Sequence, residues 1–243
     1  MENLSEFRNS TPPEKNTSSL ISYAFDMYKG VFWFAMITMA VYIAGTILLE
    51  SIFSFDSQAL YKEIMEAGDD FKTQDLLEVE GVLTYYAFSG IFGWLAAPLF
   101  VGLIYVTSRF NNNKPLRFND LFIGYRQNFL NIFLYTIISS ILVGIAFALC
   151  FLPGLFVAPL FLLGYPILLF ENANAIQAIK KSFSIAKDNY GTFLATTLLG
   201  GLIAIAGVIF CGVGILLTMP FIYVVMYSAY SGYLGKPREL VEN

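Results

Sequence analysis

The sequence predicts an all-α membrane protein with six transmembrane helices in three tandem parallel repeats, each an amphipathic helix plus a helical hairpin. Both termini are expected to be cytoplasmic. Of the 243 residues, 57% are hydrophobic and 13% charged, and the mean hydropathy is +0.64, whereas soluble domains carry about 25% charged residues. Four long stretches contain no charged residue, and a proline-centred motif recurs at equal intervals along the chain.

The charge-free stretches indicate where the chain crosses the membrane. A helix needs about 20 apolar residues to cross the hydrocarbon core. Residues 30–49 and 81–108 therefore hold one span each, and residues 127–170 and 189–235 hold a hairpin each. Breaks are expected at Leu152-Pro153-Gly154 and at Cys211-Gly212-Val213-Gly214, because Pro and Gly clusters end helices. The predicted helices cover roughly 31–53, 88–109, 129–151, 154–171, 191–210 and 214–234.

Basic residues predict the orientation. With the N-terminus inside, 12 of the 14 Lys and Arg residues are cytoplasmic, as the positive-inside tendency requires. Nine of the 18 acidic residues lie between Glu50 and Glu80, which predicts an acidic external insertion at 54–87. Residues 1–17 are predicted to be a disordered cytoplasmic N-terminus without a cleaved signal peptide. Residues 18–235 form the membrane domain, and 236–243 a cytoplasmic tail.

Self-comparison of the sequence predicts three repeats, at 18–109, 115–171 and 174–235. The prolines Pro98, Pro159 and Pro220 are evenly spaced, one in each unit. Upstream of the last two, Phe-x3-Arg/Lys-x-Asn occurs twice at the same spacing, and the first unit keeps only the Phe and the Lys. Because each unit contains two crossings, the units are expected to be parallel. The structural and interface candidates are Phe25, Lys29, Pro98, Phe122, Arg126, Asn128, Pro159, Glu171, Phe183, Lys187, Asn189 and Pro220.

Each unit is expected to begin with an amphipathic helix in the cytoplasmic interface, its apolar face toward the lipid. Anchoring is one interpretation of these helices, and recognition of a lipid headgroup or partner is the other. The apolar positions are Ile21, Ala24, Phe25 and Tyr28, then Phe118, Leu121, Phe122 and Tyr125, then Ile176, Ile179, Phe183 and Ala186.

Three features leave alternatives open. The repeated prolines could provide helix packing or bends that gate a cavity. Glu171 could pair with Lys180, Lys181 or Arg126, or serve as an N-terminal acid of the helix that begins near Asn172. Small residues at four-residue spacing could pack helices within the chain or mediate a homo-oligomer. These residues are Ser140, Gly144 and Ala148, and Thr196, Gly200 and Ala204.

The composition excludes several kinds of chemistry. The chain has no His, which excludes His-dependent triads, His-ligated metals and His proton relays. The predicted spans carry no ionisable side chain at membrane depth, which argues against ion-coupled transport. Cys150 and Cys211 match no metal site or disulfide framework, and the pI near 4.9 indicates no nucleic-acid partner. We therefore expect no catalytic residue, cofactor or metal, and membrane lipids as partners, with protein partners open.

The second half of the chain resembles a known group of sequences. The resemblance lies in the run from Pro166 to Glu171, in Ala178-Ile179-x2-Ser182-Phe183-x3-Lys187-x-Asn189, in Gly212-Val213-Gly214, and in Pro220, Tyr227 and Tyr230. This pattern resembles a family of bacterial multi-pass inner-membrane proteins similar to the membrane domain fused to some glycerophosphodiester phosphodiesterases. The resemblance implies six helices and a bacterial plasma membrane. It implies no hydrolase activity, because the soluble phosphodiesterase barrel is absent.

These features favour a non-enzymatic scaffold or accessory protein that contacts lipids. The alternative is a transporter or permease for an apolar or lipid-like solute that uses a cavity between repeats. A membrane-embedded enzyme is a weaker third, because the sequence offers no converging acid, base, nucleophile or metal set.

Overall fold

A computed structural model describes residues 11–53, 56–68, 81–149, 151–209 and 213–237. Within these ranges the chain forms helices and no strand, which confirms the all-α prediction. Residues 1–10 of the predicted disordered terminus, the acidic residues of 69–80, both cysteines and residues 238–243 lie outside the described ranges.

The helices are numbered in chain order. They are α1 Thr17–Phe53, α2 Ser57–Ala67, α3 Val82–Asn111, α4 Ile123–Arg126, α5 Phe129–Leu149, α6 Phe151–Val157, α7 Gly164–Glu171, α8 Ala175–Asp188, α9 Tyr190–Ala206, α10 Val213–Thr218 and α11 Phe221–Leu234. Short 3-10 turns lie at Phe118–Phe122, Ala158–Phe161 and Gly207–Ile209.

Five helical stretches in the described ranges are long and apolar enough to cross a membrane: α1, α3, α5, Phe151–Glu171 and Gly214–Leu234. A sixth span results if α8 and α9, which meet at a bend of 106°, form one broken crossing. These stretches indicate a multi-pass membrane protein, as predicted. Helix α3 begins at Val82, so the last residues of the predicted insertion at 54–87 belong to this helix.

The first amphipathic segment is not a separate helix. Helix α1 begins at Thr17, well before the predicted start of the span at 31, and runs for 37 residues without interruption. Its length is about 55 Å. The second and third segments end at Asn128 and Asn189, where the helix is interrupted. The equivalent position in the first unit is Val31, which is fully buried in a continuous helix. Asn128 leaves the helical conformation with a φ of 55°, which a β-branched residue such as Val rarely adopts, and the first segment continues into the span.

The repeated prolines occupy three different backbone settings. Pro98 lies inside the continuous helix α3, Pro159 lies in the first turn of a 3-10 helix, and Pro220 directly precedes α11. The predicted break at Leu152-Pro153-Gly154 instead lies within the first turns of α6. Proline is tolerated there, because the N–H groups of a first helical turn have no partner within the helix.

The chain divides into two compact units, one of residues 40–96 and one of residues 1–39 and 97–243. In the smaller unit, Leu60 of α2 is buried with Val82 and Tyr85 of α3. Tyr85 also donates a hydrogen bond of 3.2 Å to the Glu50 carboxylate.

The core of the larger unit consists of three helical stretches that are buried on nearly every side. They are residues 99–109 in α3, 162–170 around α7 and 221–231 in α11. Such all-round burial marks a helix as central. Each stretch begins one to three residues after a repeated proline.

Helices α5 and α9 expose much of their apolar surface. Leu134 and Ile145 of α5 and Leu202 of α9 are more than 40% accessible, as expected of lipid-facing side chains. The two sets of small residues differ, because Thr196, Gly200 and Ala204 are buried whereas Ser140, Gly144 and Ala148 are exposed. Of these two sets, the one on α9 therefore packs within the chain.

The apolar face predicted for each amphipathic segment is divided between protein and surface. Ala24, Leu121 and Ala186 were predicted to face lipid, and they are fully buried instead. Phe25, Phe118 and Phe183, on the same predicted faces, are 41%, 51% and 46% exposed. At Ala24 and Ala186 the small side chains let the segments approach the central helices closely, and Leu121 fits inward because its backbone lies against Gly102, whereas the phenylalanine rings are left at the surface.

Candidate functional site

A buried ion pair joins the end of α3 to the 3-10 turn that follows it. The Nε atom of Arg109 lies 3.3 Å from an Asp120 carboxylate oxygen, and the two side chains are 9% and 6% exposed. The same Nε–H donates to the Pro115 carbonyl (3.1 Å), and the guanidinium donates to the Tyr105 hydroxyl (3.4 Å). Asp120 also accepts the Arg117 backbone N–H at 2.8 Å. Both charges are thus compensated, as burial requires.

A cavity of about 300 Å³ opens beside this pair. Six polar side chains and Ile123 line it: Tyr105, Arg117, Asn119, Asp120, Arg126 and Gln127. Among these lining residues Asp120 is the only acid, and Arg109 lies directly behind it. Arg117 and Arg126 therefore bring two guanidinium groups to the described lining, and Asp120 is the acid that pairs with Arg109. Guanidinium and amide groups are hydrogen-bond donors, so this part of the lining is rich in polar donors.

A row of aromatic side chains runs past the cavity and onto α5. Phe118, Phe122, Tyr125, Phe129 and Phe133 follow one another with ring centroids 5.4 to 6.3 Å apart. Phe118 is about half exposed and Tyr125 is 40% exposed. Partial burial raises the pKa of the Tyr125 phenol above its usual 10, so the ring is uncharged at physiological pH. Exposed rings in such a row are typical of the membrane–water interface.

Two glycine-dependent contacts hold this segment against α3. A side chain at Gly102 would overlap the Leu121 carbonyl, and one at Gly124 would overlap the Pro98 carbonyl. The backbones can approach this closely only because both glycines lack a Cβ. The position of Phe122 and Arg126 relative to α3 therefore depends on backbone packing.

Asn128 forms the corner between this segment and α5. Its φ is 55°, a left-handed conformation that Asn adopts more readily than most residues. Its amide donates to the carbonyls of Leu168 (2.9 Å) and Ala173 (2.8 Å). Asn189, its predicted counterpart, also lies at a corner, but has a φ of −126° and donates to the Ile185 carbonyl at 3.0 Å.

The third segment, α8, has three different faces. Ala175, Ala178, Ser182 and Ala186 are buried against the protein. Ile176 and Phe183 are about half exposed on the neighbouring face, and Lys180 and Lys187 follow on the next. The helix therefore combines a protein-facing side, an accessible apolar side and a basic edge.

Glu171 pairs with α8 and does not cap it. Its carboxylate oxygens lie 2.6 and 2.8 Å from the Lys181 Nζ, and it accepts a hydrogen bond from the Tyr230 hydroxyl at 3.3 Å. The N-cap of α8 is Asn174, whose side chain accepts the Gln177 N–H at 2.9 Å. Of the two interpretations of Glu171, the ion pair is correct, because the αL residue Asn172 separates Glu171 from α8.

Two open grooves lie beside the first and third amphipathic segments. One, of about 590 Å³, runs between α5 and α8, with Leu134, Ile138 and Ile176 in its wall and Lys180 at its edge. The other, of about 680 Å³, runs between α1 and α9 past Ile21, Phe25, Lys29 and Leu199. Lys29 pairs with Asp26 at 3.0 Å. Both grooves therefore combine apolar walls with a basic side chain.

Phe25 connects the first segment to the third proline. Its ring lies 4.6 Å from that of Phe221, and Tyr28 lies 5.5 Å from the same ring. Tyr28 also donates a hydrogen bond of 2.6 Å to the Leu217 carbonyl. The first segment therefore packs against residues on both sides of Pro220.

The buried pair is the interaction that the sequence pattern does not reveal. Glu171 with Lys181 is one of the predicted alternatives, whereas Arg109 and Asp120 are not among the candidate residues. The predicted repeat contains a signal for it, because Asp120 and Lys181 occupy equivalent positions of the second and third predicted units and each follows a charged residue at the end of a central helix. The structure brings Arg126 to the cavity, whereas Lys187 and Lys29 lie on separate surfaces.

Within the described ranges, no three Asp, Glu or Cys side chains cluster closely enough to hold a metal ion. Comparison with family models, with curated proteins and with solved structures finds no match. The family resemblance therefore stays a prediction.

Proposed function

We propose that this chain is a lipid-contacting scaffold or accessory protein without catalytic activity, embedded as a multi-pass protein in a bacterial plasma membrane. The observation that carries this proposal is the three-faced helix α8. It packs small residues on the protein, presents Ile176 and Phe183 outward, and flanks them with Lys180 and Lys187. Apolar side chains bordered by lysines suit acyl chains bordered by anionic headgroups.

The tightly buried core supports a scaffold more than an aqueous pathway. Residues 101, 103, 104, 163, 167 and 168, deep in two of the central stretches, are all 0% exposed. Transport would need a polar-lined route through this part of the molecule. The grooves lie on the outside, so a lipid-like solute that moves along them is the second candidate function.

Contacts within the larger compact unit, residues 1–39 and 97–243, support three tandem parallel repeats. Gly102 lies against Leu121, since a side chain at Gly102 would meet the Leu121 backbone. Leu163 and Ser182 occupy the equivalent positions of the next unit. They are also in contact, because the Leu163 N–H donates a hydrogen bond of 3.2 Å to the Ser182 hydroxyl. Each of the three segments also contacts residues at or next to a repeated proline. Gly124 meets Pro98, Ser182 donates to the Leu160 carbonyl, and Phe25 packs on Phe221. Each segment thus packs at the repeated proline of another unit, as a pseudo-threefold ring requires.

The charge distribution supports a cytoplasmic location for the segments and both termini. Arg117, Arg126, Lys180 and Lys187 all lie on the two segments that follow α3 and α7. By the positive-inside tendency these segments face the cytoplasm, and the insertion that contains α2 faces the opposite side of the membrane.

Purification in native lipid, followed by mass spectrometry of the lipids and proteins retained, tests the proposed function. We expect retained phospholipid and no turnover of it during incubation. Reconstitution into liposomes tests the second candidate. A monomeric protein that retains no lipid or partner and moves a solute across liposomes would contradict the scaffold proposal.

A further inference from the structure

We propose that the groove between α5 and α8 binds one anionic glycerophospholipid, with an acyl chain along the groove and the headgroup phosphate at Lys180. This inference rests on the proposed function and assigns its lipid contact to one place. The ligand class is a phospholipid whose headgroup carries a net negative charge, such as phosphatidylglycerol.

The groove changes from polar to apolar along α5. It has a volume of about 590 Å³, and on this helix it is lined by Asn131, Leu134 and Ile138. Asn131 lies in the first turn of α5, and Ile138 lies about 10 Å further along the helix. Leu134 is 41% exposed, so an occupant of the groove can contact the apolar wall. The order of the wall therefore matches that of a phospholipid, whose polar headgroup is followed by acyl chains.

The α8 wall of the groove supplies a cation beside an apolar side chain. Ile176 and Lys180 both line the groove, and they are neighbours on the helix surface because they lie one turn apart. Lys180 is exposed and forms no ion pair with the described residues, and no acid is among the described residues of the lining. In the groove between α1 and α9, by contrast, Lys29 pairs with Asp26. The charge of Lys180 is therefore complementary to an anionic headgroup.

Two amides at the same end of α8 add hydrogen-bond donors. The Asn174 side-chain oxygen accepts the Gln177 N–H at 2.9 Å, and the Gln177 side-chain oxygen accepts the Asn174 N–H at 3.1 Å. These bonds use the two oxygens and leave each side-chain NH2 group as a donor without an acceptor among the described residues. Both residues line the groove, and Gln177 is a surface neighbour of Lys180 on the helix. A phosphate beside Lys180 can therefore also accept hydrogen bonds from an amide.

Hydrogen bonds between the two helices fix the polar end of the groove. The Asn131 side-chain oxygen accepts the Ala175 N–H at 3.3 Å, and the Asn131 amide donates to the Asn128 side-chain oxygen at 2.6 Å. The Asn128 amide donates in turn to the carbonyls of Leu168 and Ala173. These bonds join the start of α5 to the start of α8. A site whose walls are already ordered loses little freedom on binding.

Native mass spectrometry of the full chain in detergent tests the proposal, with phosphatidylglycerol titrated against phosphatidylcholine of the same acyl chains. We expect the wild type to retain one phosphatidylglycerol in preference. Lys180→Gln should lose about fivefold of that preference, because a lysine beside anionic headgroups contributes about a factor of five, and Lys180→Arg should keep it. Lys62→Gln removes the same charge from α2, outside the lining of the groove, and should also keep the preference.

A second pair of variants tests the apolar wall. Leu134→Trp fills the groove and should abolish the retention of either phospholipid. Met65→Trp introduces the same bulk at an exposed position of α2 and should leave retention unchanged. Thermal unfolding checks that each variant is folded, and Ile176→Trp, which fills the groove from α8, replaces Leu134→Trp if that variant is not.

The remaining outcomes would overturn the proposal in different ways. Equal losses in Lys180→Gln and Lys62→Gln would replace the site by unspecific attraction. Displacement of the lipid by excess inorganic phosphate would overturn the choice of a lipid, and a lipid-free dimer that Leu134→Trp dissociates would assign the groove to a second copy of the chain. Unchanged lipid retention in every variant would refute this site and leave the scaffold proposal standing, whereas no retention by the wild type would refute both.

Discussion

Replacing Asp120 by asparagine removes one charge from the buried ion pair and keeps the size of the side chain. The Arg117 N–H can still donate to the asparagine oxygen, and Arg109 keeps its bonds to Pro115 and Tyr105. At the observed 3.3 Å, the attraction is about 5 kcal/mol for an effective dielectric constant of about 20. Breaking a buried pair typically destabilises a protein by about 3–5 kcal/mol. Because hydrogen bonds remain, we expect a loss of about 3 kcal/mol in the free energy of unfolding.

The pair of Glu171 with Lys181 provides the matched control. It links the same two kinds of element, but its side chains are 28% and 40% exposed. A solvated pair contributes about 1 kcal/mol or less, so Glu171→Gln should have a small effect even though its N–O distance is shorter.

Unfolding by SDS in mixed micelles, followed by circular dichroism, measures both variants. A double-mutant cycle with Arg109→Gln isolates the pairwise energy from other effects of each substitution. The coupling of Arg109 with Asp120 should exceed that of Lys181 with Glu171 by about 1.5 kcal/mol or more. Equal couplings would refute the argument that burial makes the first pair the stronger anchor.

Three further predictions test the corner, the packing and the orientation. Asn128→Ala should destabilise by about 3 kcal/mol, through two lost hydrogen bonds and the left-handed φ, whereas Asn128→Gly should lose about half as much because Gly adopts that φ freely; equal losses would exclude a backbone contribution. Gly102→Ala should destabilise by about 1–3 kcal/mol through overlap with Leu121, while Gly144→Ala, which meets nothing within 4 Å, should be neutral or stabilising. In a chain without Cys150 and Cys211, Lys62→Cys and Lys187→Cys should react with impermeant maleimide from opposite sides of sealed vesicles; labelling from one side would contradict the proposed orientation.

The helical class and most of the spans could be predicted, because crossing a membrane requires long apolar stretches and little else. The exposure of the phenylalanine side chains on the predicted apolar faces of the three amphipathic segments could also be predicted. Phe25, Phe118 and Phe183, which were expected to face lipid, are accessible, and small residues such as Ala178 and Ser182 pack inward, as is usual where helices meet in lipid.

Two features could not be predicted from periodicity. The continuity of α1 depends on Val31 standing where the other units have asparagine, and apolar periodicity gives the same pattern for one bent or one straight helix. The contact of Arg109 with Asp120 depends on how the loop between them folds back onto α3. The spacing of apolar residues contains no information about the path of that loop. The interval of the repeat, applied to charged residues as well as to prolines, would have indicated this pair once Glu171 was matched with Lys181.

The two ion pairs indicate how the proposed repeat would keep one contact although the charges of the two partners are exchanged. Asp120 and Lys181 occupy equivalent positions with opposite charge, and Arg109 and Glu171 supply the complementary partners one residue apart in register. An electrostatic link between a central helix and the next segment needs opposite signs and does not need a particular order. The contact is therefore maintained while the net charge around it differs. The second predicted unit carries Arg117 and Arg126 near this link, where the third has Ala178 and Lys187, so the side chains around the link differ although the link itself occurs in both.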